Sequence, residues 1–118
     1  MGFGFEDLEV YKKAIDFATT VYETTRGFPS NEMYGLTSQI RRAAVSIAAN
    51  IAEGSGRYHK KDFAQFLRIA KGSTCECVAL MEISLREGYI KRNIHDVLLK
   101  NCTELAKMLS GLIRSLSI

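Results

Sequence analysis

Two sets of residues in this chain could do chemistry: a polar row at helical spacing, and a run of cations with few acids among them. Gln39, Arg42, Ser46, Asn50 and Glu53 follow one another at steps of three and four, which puts all five on one side of a helix. Glu76 is a candidate counter-charge for Arg42 or Arg41. The set Arg41, Arg42, Ser46, Asn50, Glu53 and Glu76 reads first as an internal polar network, since buried charge persists only when paired and hydrogen-bonded. The alternative is acid–base work shared by Glu53 and Glu76. It lacks a nucleophile, a metal or a histidine in a defined motif.

The cations lie in the middle of the chain. Between Arg41 and Lys71, seven basic residues face only Glu53 and Asp62, a local +5 in a chain whose net charge is +3. Arg57, Lys60, Lys61, Arg68 and Lys71 are the candidate nucleic-acid-binding residues. On a helix the last four fall within an arc of about 100°, and phosphate contacts from such a face are salt-sensitive and indifferent to sequence. The competing reading is an ordinary solvated face. Gly54, Ser55 and Gly56 could offer backbone N–H groups to an anion where the next helix begins, but the run is too short for a nucleotide-binding fingerprint. Cys75, Cys77 and Cys102 are odd in number. With only His59 and His95 as further soft ligands, they read as structural thiols. No metal and no cofactor is expected.

Four helices must position these residues, over roughly 7–26, 36–53, 60–87 and 93–116. The first shows Leu8, Tyr11, Ile15, Ala18 and Tyr22 at helical spacing, with Gly27 and Pro29 to stop it. The second has Leu36, Ile40, Ala43, Ile47 and Ile51 as its core stripe. The third has Phe63, Leu67, Ala70, Thr74, Met81 and Leu85, with His59 and Asp62 at capping positions. The fourth, opened by Asn93 as N-cap, has Ile94, Leu98, Leu105, Leu109, Leu112 and Leu116. Short connections make successive helices antiparallel neighbours. The expected fold is all-α, an up-down-up-down four-helix bundle in one domain over 1–118. Neither a leader peptide nor a membrane span is legible, so the expected location is cytoplasmic, with no membrane partner.

Helices two and three carry apolar or small residues on a second side: Val45, Ala48, Ala49 and Ala52, then Ile69, Gly72, Ser73, Leu80 and Ile83. A helix in a four-helix domain needs one buried stripe, so a second asks for another covering surface. These nine residues are the expected oligomer interface, and a closed homo-oligomer is the usual result.

The stretch GLTSQIRRAAVSIAANIAEG, residues 35–54, resembles the signature of the 23S rRNA intervening-sequence proteins, the S23 four-helix-bundle family. Residues 5–11, 66–76 and 107–113 are similar to that family too, so the resemblance covers nearly the whole chain. A related branch is the accessory variability protein of diversity-generating retroelements, a pentameric barrel that binds nucleic acid and a reverse transcriptase. The resemblance implies a homo-pentamer of bundles with a basic surface and no enzymatic activity. It supplies no catalytic role for the matching Arg41, Arg42, Asn50, Glu53 and Gly54. The expected function is a non-enzymatic homo-oligomer that binds RNA or DNA non-specifically. The alternative is an assembly or adaptor protein whose partner is another protein.

Overall fold

Apolar residues at helical spacing, interrupted only by short glycine- and proline-bearing connections, fold here as four long helices. The computed structural model describes residues 2–116; Met1, Ser117 and Ile118 of the expected 1–118 domain lie outside the described residues. A 3-10 turn at Gly4–Asp7 leads into α1 (Glu9–Thr25), and a second at Ser30–Glu32 precedes α2 (Leu36–Ser55). Then come α3 (Lys60–Arg86) and α4 (Arg92–Ser115). Each helix touches two neighbours, α1–α2, α2–α3, α3–α4 and α4–α1, so the four close a ring without diagonal contact. The α2–α3 seam is the most extensive and the α1–α4 contact the thinnest. The architecture is the all-α bundle of the sequence reading, 45 × 25 × 21 Å across.

The core stripes of α2 and α3 are largely those legible in the sequence. Leu36, Ile40, Ala43, Ile47 and Ile51 are all buried, as are Leu67, Ala70, Thr74 and Met81; Phe63 and Leu85 are partly buried against them. On α4, Leu98, Leu105 and Leu109 are buried, but Ile94 is largely exposed and His95 is buried in its place. His95 Nε2 lies 3.5 Å from Glu82 Oε1, a contact between α3 and α4.

Helix α1 corrects the sequence reading. Its core stripe is Val10, Ala14, Phe17, Val21 and Thr25; of the expected stripe, Leu8, Tyr11 and Ala18 are partly buried against the core, and Ile15 and Tyr22 are 41% and 40% exposed. Both stripes obey helical periodicity. The one containing Phe17 wins the interior, and the one with two tyrosines keeps a wet edge for their hydroxyls.

The ends of the helices also differ in detail. Neither His59 before α3 nor Lys91 before α4 makes a side-chain cap bond, so neither the His59–Asp62 pair nor Asn93 acts as expected. At α2 the side chain of Glu32 accepts from the Leu36 N–H at 3.1 Å, and its other oxygen accepts from Tyr89 O–H at 2.9 Å. One acid thus satisfies an orphan donor of α2 and ties the α1–α2 connection to the turn after α3. Gly54 and Ser55 continue α2 and are not a linker. The Gly56 N–H bonds back to the Glu53 carbonyl, and the Arg57 N–H to that of Gly54. The expected anion cradle is therefore spent on closing α2.

Candidate functional site

The polar row of α2 meets α3 along the seam. Ser46 Oγ and Ser73 Oγ share a hydrogen bond of 2.9 Å, and Asn50 Nδ2 donates to Ser46 O at 2.8 Å and Oγ at 2.9 Å. Arg42, Gln39 and Glu76 join Ser46 and Ser73 in lining a cleft of about 530 Å³, but among the described residues Glu76 forms no ion pair within 4.0 Å and is not the counter-charge expected for Arg42 or Arg41. Two expected members go elsewhere. Arg41 is one residue from Arg42, hence 100° around the helix, and faces α1: its Nε donates to Thr25 Oγ1 at 2.8 Å, and its guanidinium lies 4.7 Å from the Tyr22 ring centroid. Glu53 pairs with Arg57 at 2.9 Å near the end of α2. That end packs on Phe66, ten positions before Glu76 on α3, about 15 Å along the axis at 1.5 Å per residue. Glu53 and Glu76 are not brought together, and acid–base work shared by them has no geometry.

The second faces of α2 and α3 divide as well. Val45, Ala49, Ile69, Gly72 and Ile83 are exposed, and Ala52 and Ser73 are half-buried. Ala48 at 6% and Leu80 at 8% belong to the bundle's own core, so neither offers a surface. Both sit at the rim of the buried arc, where a helical projection without partners cannot tell core from interface. In compensation α1 adds residues that sequence reasoning assigned to the core. Tyr22 lies under Arg41 of α2, and Ile15, two turns earlier on the same face, borders the same helix. The signal was present in the sequence as two apolar stripes on one short helix. Exposed apolar residues thus stand on α1, α2 and α3, with the polar cleft of Gln39, Arg42, Ser46, Ser73 and Glu76 between those of α2 and those of α3.

The basic residues occupy an adjoining arc of α3. Glu82 marks that arc, since it meets His95 of α4. Lys71 stands three turns before Glu82, and Lys60, Arg68 and Lys61 lie within about 60° of the same line. All four are exposed. Among the described residues none of them forms an ion pair within 4.0 Å; Arg68 touches only Gln65, at 3.4 Å. Arg57 differs from the expectation: it is held by Glu53 and lies 4.7 Å over the Phe66 ring, which makes it a brace for the α2–α3 corner. Asp62 lines the same surface cleft as Lys60 and Lys61.

Cys77 and Cys102 are buried and Cys75 is exposed. Burial pushes the Cys102 thiol up to about 12 and moves Cys77 in the same direction, so both stay protonated at neutral pH. Among the described residues no three His, Cys, Asp or Glu side chains are grouped to hold a metal ion. No helix among them is long and apolar enough to cross a membrane.

Comparison with curated proteins gives no match. Among solved structures, a protein of unknown function from the S23 ribosomal protein family of Bacteroides thetaiotaomicron is similar, with a TM-score of 0.83 and 27% identity. The similarity covers 89% of this chain and 95% of that one. The family model of the 23S rRNA-intervening sequence protein matches residues 6–111. With the bundle and the α2 signature already in hand, the chain belongs to the 23S rRNA-intervening sequence protein family.

Proposed function

We propose that the chain is a non-enzymatic subunit of a homo-oligomer, five-membered by the family resemblance, whose basic α3 flank holds RNA or DNA without regard to sequence. One arrangement carries this reading. The exposed apolar residues and the exposed cations, which form no ion pair among the described residues, occupy adjoining arcs of α3, so a copy seated on the first would leave Lys60 and Lys71, the cations farthest from it, free. An apolar surface spread over three helices favours a covering partner. Cations that make no internal ion pair keep their full attraction for phosphate. Assembly would repeat the basic flank around the oligomer, so weak contacts per subunit would add along one polyanion.

Titrating labelled RNA and DNA against the protein at several salt concentrations tests the binding. Affinity should fall steeply with salt, and Lys60→Glu, Lys61→Glu and Arg68→Glu together should abolish it. Absence of binding at low salt, or indifference to the triple change, overturns the nucleic-acid reading. A protein partner retained through high salt in that case would favour the adaptor role.

A further inference from the structure

The connection between α2 and α3 ends in two adjacent aromatic rings. Tyr58 is 94% exposed. Its ring meets that of His59 at 82°, with centroids 4.9 Å apart, so at least one face of the tyrosine is open. Tyr58, His59, Lys60, Lys61 and Asp62 together line one open cleft of about 610 Å³. An exposed tyrosine alone is ordinary surface. Here the ring is braced by His59 and followed within three residues by two lysines that form no ion pair among the described residues, so a flat apolar face and two phosphate-seeking charges share one short segment. Tyr34 is equally exposed but is flanked by Met33 and Gly35, with no cation beside it.

A duplex hides the faces of its bases in its own stack, whereas a single strand can lay a base on an aromatic ring. We infer, resting on the nucleic-acid reading above, that this cleft takes single-stranded nucleic acid, one base stacked on Tyr58 and the flanking phosphates on Lys60 and Lys61. Asp62 is a full 100° around α3 from Lys61; its charge repels phosphate and keeps the backbone on the lysine side.

Fluorescence anisotropy with a single-stranded oligonucleotide and a duplex of equal length, at one salt concentration, tests this. Wild-type protein should prefer the single strand. Tyr58→Ala should weaken single-strand binding about tenfold, the scale of one base–aromatic stack, and leave duplex binding unchanged. Tyr58→Phe should keep the preference, and Tyr34→Ala should have no effect. Salt-sensitive binding with equal affinity for both forms, or equal weakening of both by Tyr58→Ala, overturns this inference alone. Failure to bind either form at low salt overturns the nucleic-acid reading with it.

Discussion

Two glycines hold the bundle's geometry for different reasons. A Cβ on Gly54 would fall 2.6 Å from Phe66 Cβ and 3.0 Å from Phe63 Cδ1, so its bare backbone lets α2 and α3 approach where the seam is tightest. Gly88 adopts φ +79° after α3. There the Tyr89 N–H reaches the Ser84 carbonyl and the Gly88 N–H that of Leu85, which closes the helix with a left-handed residue. Gly54→Ala should cost about 1–3 kcal/mol through overpacking, and Gly88→Ala about 1–2 kcal/mol through backbone strain. Denaturant unfolding checks both; midpoints equal to wild type would contradict these roles. Both glycines are conspicuous in the sequence, yet Gly54 read as a linker. Its helical state depends on Phe63 and Phe66, ten or so residues away, which local pattern does not weigh.

At the scale of elements, legibility followed the number of apolar stripes. Helix α2 has one stripe of large aliphatic residues, and Leu36, Ile40, Ala43, Ile47 and Ile51 are all buried as expected, but so are the smaller Thr37, Ala44, Ala48 and Gly54 beside them. Helix α1 has two, about 100° apart, and periodicity gives no ground for preferring Phe17 and Val21 over Ile15 and Tyr22. On α4 the stripe was right except at its first turn, where His95 is buried ahead of Ile94. The same ambiguity placed Ala48 and Leu80 on the wrong side of the boundary between core and interface. The correction separates two outcomes. Arg at Val45 or Ile83, both exposed, should split the proposed oligomer and leave helicity intact, whereas Ala48→Arg should destabilise the bundle itself, since a charge would press on its buried core. Circular dichroism with sedimentation distinguishes the two; an oligomer that survives Val45→Arg and Ile83→Arg places its interface elsewhere.

For the whole molecule, the residues of the candidate surfaces were legible but their partners were not. Lys60, Lys61, Arg68 and Lys71 stood out by charge alone. Arg57 did too, although its spacing of four from Glu53 already allowed the ion pair that removes it from the free set. The polar row was visible by its spacing; that Ser46 bonds Ser73, and that Arg42 and Glu76 line one cleft with them, needs the α2–α3 register, a long-range fact. What results is a bundle with a closed core, exposed apolar residues on α1, α2 and α3 around a polar α2–α3 cleft, and a basic arc on α3 beside them. The proposed function stands or falls with this bundle being one copy in a homo-oligomer. Light scattering on the purified wild-type protein decides this: a mass of two or more whole multiples of 13.2 kDa is the predicted result. A stable monomer of 13.2 kDa at micromolar concentration would contradict it.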